Sequence, residues 1–200
     1  AVDWSFATNE LLIGPTWFPE IPPAGESPAR GISDGPDADM DHLRYTFMGA
    51  LSCARQRVKI VTPYFLPESP LLDALNVCAM RGVEVVVILP SENNLKYVHW
   101  AAMATLAPLL EGGVRIWLTR PPFDHTKLMI VDDAWSCFGS TNWDARSLRL
   151  NFEFNVECYD RAVAAELSAD DAKRMDGANP LTMDELNGRS LPAKLRDGMA

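Results

Sequence analysis

Runs rich in β-branched residues alternate with amphipathic stretches through the middle of the chain, and this alternation restricts the fold more than any other feature. The runs are 58–62, 83–89 and 114–118, and each follows a stretch in which apolar residues recur every three or four positions, the last being 98–112. Continuous apolar runs are typical of strands covered on both faces, and the three-to-four repeat indicates helices. The alternation predicts an α/β fold in which helices pack on a largely parallel sheet.

The chain becomes rich in predicted strands after its third helix. Residues 125–131 and 134–138 flank a pair of aspartates, which favours a hairpin. Polar and apolar residues alternate over 151–159, which predicts a strand with one polar and one apolar face. We therefore expect hairpin connections in the second part of the sheet, whereas helices connect the strands of the first part.

Two segments of this region carry groups that can bind a phosphate. His125 and Lys127 are two residues apart on the predicted strand, so their side chains share a face. Gly139, Ser140 and Asn142 follow one hairpin later, where glycine permits a sharp turn and the polar side chains precede a predicted short helix. Because the N-terminus of a helix attracts anions, these residues together predict a phosphate pocket.

Length and the distribution of proline and glycine divide the chain into three segments. A chain of 200 residues suits one compact domain. The Pro- and Gly-rich residues 1–36 predict an irregular arm with one short strand near 29–32. We expect residues 37–175 to form the catalytic domain and residues 176–200 to form a C-terminal tail.

Charge and cysteine usage narrow the functional classes. Lys and Arg total 18 against 27 Asp and Glu, and the net charge of −9 argues against a nucleic-acid partner. No window approaches the roughly 18 to 20 apolar residues of a transmembrane helix. The four cysteines lie in apolar stretches without a CxxC pair, which is typical of reduced core residues in the cytosol. The histidines show no metal-ligand spacing, so neither a metal nor another cofactor is expected.

The string His125-x-Lys127-x4-Asp132-x6-Gly139-Ser140-x-Asn142 resembles the HKD motif of the phospholipase D superfamily. The stretches 3–8, 62–67 and 144–153 are similar to the C-terminal half of bacterial cardiolipin synthases. The resemblance implies a phospholipase D-like sandwich, with a central mixed, mostly parallel sheet flanked by helices. It also implies phosphatidyl transfer between two phosphatidylglycerol molecules, giving cardiolipin and glycerol, at the cytoplasmic face of a bacterial membrane.

The same resemblance implies catalytic residues His125, Lys127 and Asp132. In the family one histidine attacks phosphorus and a second protonates the leaving alcohol and deprotonates the incoming one. Glu153 matches the acidic residue that bonds the far ring nitrogen of the histidine, and so would orient His125. Asp132 has the opposite strand parity, so we expect an indirect role, in which it binds backbone amides of the turn or pairs with a cation.

A phosphate ligand would be held by Lys127, Ser140 and Asn142, which supply one cation and two neutral polar groups. Such groups stabilise the charge that develops on phosphoryl oxygens during transfer. Tyr64 and Phe65 follow a predicted strand end, where they would either edge the pocket or pack in the core. The other histidines, His42 and His99, are expected to be surface or capping residues.

The mechanism needs two histidines, and the chain has one HKD motif. The second would come from another half of a longer protein or from a second copy of this chain in a homodimer. The resemblance favours a fragment, because the stretch similar to 3–8 lies just after the first motif of cardiolipin synthases, and the start at Ala1 without Met agrees with this. In an intact enzyme His125 would then be the acid and base. A hydrolase of the same family, acting on phospholipid or, less favoured, nucleic acid, and a non-catalytic isolated half-domain remain alternatives. Expected partners are phosphatidylglycerol or a related phospholipid and the membrane surface.

Overall fold

The computed structural model describes residues 1–36 and 39–199, and an eight-stranded sheet organises them. The strands, numbered along the chain, are β1 (Ala29–Asp34), β2 (Arg57–Val61), β3 (Phe65–Leu66), β4 (Glu84–Pro90), β5 (Arg115–Thr119), β6 (Leu128–Val131), β7 (Trp135–Gly139), β8 (Trp143–Asp144), β9 (Glu153–Cys158) and β10 (Asn179–Leu181). The helices are α1 (Val2–Thr8), α2 (His42–Cys53), α3 (Ser69–Met80), α4 (Lys96–Thr105), α5 (Ala107–Glu111), α6 (Arg161–Arg174), α7 (Met183–Asn187) and α8 (Leu191–Met199).

The sheet is mixed, with the strand order β1-β9-β7-β6-β2-β4-β5-β10, while β3 and β8 pair separately. The predicted α/β architecture with a mixed sheet flanked by helices is confirmed. The parallel share is smaller than predicted, because within the described part of the chain only β2–β4 and β4–β5 in this sheet are parallel pairs. The helical crossovers between β2, β4 and β5 allow parallel pairing, whereas the short turn between β6 and β7 requires antiparallel strands.

Apolar side chains pack on both faces of the sheet. The first face carries a large cluster to which α2, α3, α4, α5 and α7 contribute, and the second carries a smaller cluster under α6. Strand β6 supplies Met129 to the first cluster and Leu128 and Ile130 to the second, as alternation along a strand requires. None of the helices that the structure describes is both long and apolar enough to span a bilayer.

Several element boundaries differ from those predicted. The helix predicted over 98–112 is divided into α4 and α5, with Pro108 in the first turn of α5, where a missing amide costs least. Strand β6 begins at Leu128 rather than at residue 125. The short helix predicted directly after Gly139 does not form, because residues 140–142 lead straight into β8.

The two edges of the sheet come from the terminal segments. Strand β1, within the predicted arm, pairs with β9, and β10, within the predicted tail, pairs with β5. Helix α8 packs against α4. The predicted arm and tail therefore contribute to the same sheet as the central region, and the predicted boundary at residue 37 lies outside the described residues. Three cysteines are buried as predicted, whereas Cys53 at the end of α2 is exposed.

Candidate active site

The residues predicted to bind phosphate gather at the edge of the sheet where the parallel strands end. Strand β6 runs antiparallel to β2, with Leu128 opposite Val61, so the segment before β6 lies beside the carboxyl end of β2. Gly139 ends β7 at the same edge, and its amide donates to the carbonyl of Lys127 at 3.4 Å. The carboxyl ends of parallel strands are the usual place for a ligand site in an α/β sheet.

Lys127 is buried at this edge, and its Nζ donates to the carbonyl oxygen of His125 at 2.8 Å. Burial lowers the pKa of the Lys127 ammonium. Three carboxylates oppose the shift, those of Glu153, Asp124 and Asp144. The ammonium is therefore a partly desolvated cation among acidic groups, a setting in which its interaction with an added anion is stronger than in water.

The imidazole of His125 is exposed beside Lys127. Its ring lies edge-on to Tyr64, with 5.7 Å between ring centroids, and 5.8 Å from the ring of Phe123. Partial burial and the charge of Lys127 lower the pKa of His125, and Asp124 opposes this shift. The lowered pKa favours a neutral imidazole at pH 7, the form that can accept a proton or attack phosphorus.

The loop from Gly139 to Asn142 is fixed against β9. The Ser140 amide donates to the Phe154 carbonyl at 3.1 Å, and the Phe154 amide donates to Ser140 Oγ at 2.9 Å. A Cβ at residue 139 would come within 2.3 Å of the same carbonyl oxygen, so this close approach of β7 to β9 requires glycine. The Ser140 hydroxyl therefore holds the loop in place, although the side chain is exposed to a ligand.

Asn142 is buried, and its Nδ2 donates to the hydroxyl of Ser147 at 3.1 Å. Within the described residues its Oδ1 is buried without a hydrogen-bond partner. A serine hydroxyl can donate or accept, so Ser147 can bond either end of this amide and leave the other end for a ligand. When the amide is turned so that Oδ1 accepts from the Ser147 hydroxyl, Nδ2 becomes the donor for a phosphate oxygen.

Glu153 lies at the start of β9, buried, with its carboxylate accepting from Asn151 Nδ2 at 3.0 Å. The negative charge of Glu153 raises the pKa of the Lys127 ammonium, against the larger effect of burial. Within the part of the chain described, no hydrogen bond joins Glu153 to His125, so its role in orienting the histidine stays a prediction.

The polar face of β9 is the more buried one, since Phe154 on the apolar face is exposed.

Asp132 lies away from His125 and Lys127, and its contacts favour the indirect role over contact with a substrate. It lies at the opposite end of β6, roughly 16 Å from Lys127 at the rise of an extended strand. Its carboxylate accepts from the backbone amides of Arg55, Gln56 and Arg57 at 2.8–2.9 Å. Burial of the carboxylate works in the opposite direction, but these bonds lower the pKa of Asp132. The predicted indirect role matches this geometry, although the amides belong to the start of β2 and not to the hairpin turn.

Three side chains that shape the site, those of Asp124, Arg174 and Asp144, were not predicted from the sequence. Asp124 is adjacent to His125 and is bonded by Arg174, which α6 brings from 50 residues away. Asp144, whose pKa is raised by burial, lies near Lys127. Asp124 could have been found from the sequence, because it directly precedes the motif histidine. No local sequence pattern links Arg174 to the site. Tyr64, left open between pocket and core, contacts His125.

A metal centre is not evident in the described ranges, 1–36 and 39–199. They contain no group of three or more His, Cys, Asp or Glu side chains arranged to hold a metal ion. The side chains at the site itself are an imidazole, an ammonium, an amide and carboxylates. These groups can hold a phosphodiester, and the single imidazole can either attack phosphorus or transfer a proton.

Comparison with curated proteins gives matches along the whole chain. Cardiolipin synthase 2 of Staphylococcus epidermidis is 32% identical over 201 residues, covering 100% of this chain and 41% of the relative. The major cardiolipin synthase of Bacillus subtilis is 29% identical over 201 residues, covering 100% of this chain and 42% of the relative. The chain thus spans about two fifths of the length of the curated relatives it matches.

Solved structures show the same fold at low sequence identity. The phospholipase D family member Nuc from Salmonella typhimurium has a TM-score of 0.67 at 19% identity, over 78% of this chain and 99% of that chain. Phosphatidylserine synthase from Haemophilus influenzae has a TM-score of 0.67 at 17% identity, over 84% of this chain and 43% of that chain. The family model described as "Cardiolipin synthase, PLD-like domain" matches residues 47–173, more than half of the chain. The chain therefore belongs to the phospholipase D-like domain family of the cardiolipin synthases.

Proposed function

We propose that the protein formed by or containing this chain is a phosphatidyltransferase that converts two phosphatidylglycerol molecules into cardiolipin and glycerol. The observation that carries the proposal is the gathering of His125, Lys127 and Asn142 at one edge of the sheet. The cardiolipin synthase names of the relatives support the lipid substrate.

The reaction exchanges one phosphodiester for another in two steps. A histidine nitrogen attacks the phosphorus of the first phosphatidylglycerol, forming an N–P bond while the bond to the glycerol oxygen breaks. A second histidine gives its proton to that oxygen, and glycerol leaves. The same histidine then removes a proton from the headgroup hydroxyl of the second phosphatidylglycerol, whose oxygen attacks phosphorus and releases the first histidine.

Lys127 and Asn142 would bind the phosphoryl oxygens during both steps. Negative charge grows on those oxygens as the new bond forms, and fixed donors in a partly dry site stabilise it without rearrangement. The Lys127 ammonium is held by the carbonyl of His125, so cation and imidazole keep a fixed spacing. The anionic substrate would replace water beside this ammonium.

The second catalytic histidine would come from outside the site that His125 and Lys127 form in this chain. Another HKD half of the same protein or a second copy of this chain could place a histidine opposite His125 across a two-fold axis. His42 and His99 are the other histidines of this chain. His99 lies on α4, where burial lowers its pKa, and its charged neighbours Asp197, Arg189 and Arg196 are in the C-terminal segment rather than at the site.

Phosphatidylglycerol resides in the membrane, so we place the protein at a membrane surface, on its cytoplasmic face. The net charge of −9 opposes attraction to anionic lipid, and contact would depend on apolar side chains. Trp17, Phe18 and Ile21 in the N-terminal segment are exposed and are suited to such contact.

Labelled phosphatidylglycerol provides the test of this function. The full-length protein should convert it to labelled cardiolipin with release of free glycerol, and excess glycerol should drive the reaction backwards. His125→Ala should abolish transfer, whereas the matched change His42→Ala, at a half-exposed side chain outside the motif, should leave it unchanged. Formation of phosphatidic acid alone would contradict the transferase assignment and favour the hydrolase, and full activity of His125→Ala would refute the site.

A further inference from the structure

We propose that Arg174 of α6 and Asp124 are positioning residues, which together fix the segment 124–127 and so hold His125 and Lys127 at the edge of the sheet. The inference rests on the proposed function for its kinetic consequence. Its structural basis is a chain of hydrogen bonds from the buried face of α6 to the residue beside His125.

The first link joins Asp124 to its own segment. Asp124 Oδ1 accepts from the backbone amide of Thr126 at 2.9 Å and from the Thr126 hydroxyl at 2.7 Å. These two bonds span His125 and fix the turn of the backbone at that residue. Lys127 Nζ closes the same turn from the other side by donating to the His125 carbonyl at 2.8 Å.

The second link joins Asp124 to α6. Arg174 Nε donates to Asp124 Oδ2 at 2.8 Å, and Arg174 Nη1 donates to Asp171 Oδ1 at 2.9 Å. The Asp171 side chain is fully buried, and within the described residues its Oδ2 has no hydrogen-bond partner. One guanidinium thus bridges two carboxylates, which the single nitrogen of a lysine could not do with the same geometry.

The helix that carries Arg174 is itself fixed. Its N-cap Asp160 accepts from the amides of Ala162 and Val163, and Ala164 is fully buried in the second apolar cluster. The position of Arg174 is therefore set by packing across the sheet. A side chain held this way can restrain a loop at a smaller cost in conformational entropy than a flexible surface residue.

The need for such a restraint follows from the surroundings of His125. Within the described residues its imidazole makes no hydrogen bond, and its ring contacts are with Tyr64 and Phe123. The charged groups that act on it are Lys127 and Asp124, both in its own segment. The backbone of that segment is therefore what aims the ring, and a displacement of about 1 Å can cost a transfer reaction about 100-fold.

The test uses substitutions that break each link without leaving an unpaired buried charge. Asp124→Asn keeps an acceptor for Thr126 and removes the ion pair. Replacing Arg174 alone would strand the buried Asp171, so Arg174→Gln is combined with Asp171→Asn. Lys173→Gln is the matched control, because Lys173 is the neighbouring residue and pairs with Asp170 on the solvent side of the same helix.

The kinetic measurement is the rate of cardiolipin formation by the full-length protein. We expect kcat to fall about 10- to 100-fold for Asp124→Asn and for the Arg174 and Asp171 pair, with KM within about twofold of wild type. Combining all three substitutions should add little further loss, because they break one chain of contacts. Lys173→Gln should retain the wild-type kcat.

A second measurement is independent of the reaction. The imidazole NMR signals of His125 and His42 can be assigned as those that disappear when each residue is replaced in turn. The pKa of His125 should fall in Asp124→Asn, because a carboxylate that favours the imidazolium is lost, and the His125 signals should shift in the Arg174 variant while those of His42 stay unchanged. Thermal melting confirms that each variant is folded.

The two measurements separate the possible failures. If the wild-type protein makes no cardiolipin, the proposed function is wrong and the NMR comparison alone decides the positioning role. If transfer occurs and the folded variants keep wild-type kcat and wild-type His125 signals, the positioning proposal is overturned and the ion pairs serve stability only.

Discussion

Replacing Asp132 by alanine should destabilise the protein without removing a catalytic group. The carboxylate binds three backbone amides at the start of β2, two of them in exposed residues that water can solvate after the change. Hydrogen bonds to charged groups contribute about 1.5–3 kcal/mol each when buried, and exposure reduces this, so we expect a total loss of about 2 to 3 kcal/mol. Asp132 also has a φ of 52°, which aspartate tolerates better than alanine.

Thermal unfolding and the transfer assay, run on the same variant, test this reasoning. The midpoint of thermal unfolding should fall by about 5 to 10 °C for a domain of this size, while kcat at a temperature where the variant is folded stays near wild type. Asp133→Ala is the matched control, since Asp133 also has a positive φ of 48° but its contact with Arg57 is half-exposed. That variant should lose about 1 kcal/mol, mostly from backbone strain.

The pH dependence gives the sign of the Asp132 contribution. Its pKa is lowered in the folded protein, so its stabilisation is present above the ordinary carboxyl pKa of about 4 and is lost as the pH falls through the folded value. The stability difference between wild type and Asp132→Asn should therefore shrink with acidification. A loss of kcat at unchanged stability would refute the structural role and return Asp132 to the catalytic set.

Three further predictions follow from individual side chains. Lys127→Met should lower kcat about 100- to 1,000-fold, as expected for a donor to developing phosphoryl charge, and an unchanged kcat in steady-state transfer would exclude that role. Gly139→Ala should destabilise by about 2 kcal/mol in urea titration, because its Cβ would meet the Phe154 carbonyl at 2.3 Å, and a neutral result would mean that β7 and β9 separate freely. Under native conditions a thiol reagent should label the exposed Cys53 before the buried Cys137, because burial raises the pKa of the Cys137 thiol to about 11. Mass spectrometry of the labelled peptides gives the order of labelling, and earlier labelling of Cys137 would contradict the prediction.

The apolar periodicity of the central region was enough to predict its helices and strands. Leu43, Phe47 and Leu51 lie on one face of α2 and are buried there, and β2, β4 and β5 pair in parallel as the alternation indicates. This success has a local cause, because the repeat of apolar residues must match the helix or strand period wherever one face is buried. The end of the predicted strand at residue 125 was wrong, since residues 125–127 precede β6 outside the sheet.

The antiparallel part of the sheet depends on contacts that no local window contains. Strand β10 carries a proline and is three residues long, too short for a periodic signal, and it is recognisable only through its pairing with β5. Strand β9 has Asn155 and Glu157 buried on its polar face, where Asn155 accepts from the Thr141 amide and Glu157 accepts from Trp135 Nε1 and Arg30 Nε. Hydrophobicity alone would assign the opposite face to the interior.

The motif residues illustrate the same division at the site. The sequence by itself predicted that His125, Lys127, Ser140 and Asn142 belong to one phosphate-binding pattern, since their types and spacing carry the resemblance. The tertiary structure alone decided that Asp132 binds the amides of residues 55–57 and that Arg174 reaches Asp124. Spacing along the chain fixes which side chains share a strand, but which end of that strand meets a ligand and which helix packs beneath it follow from long-range packing.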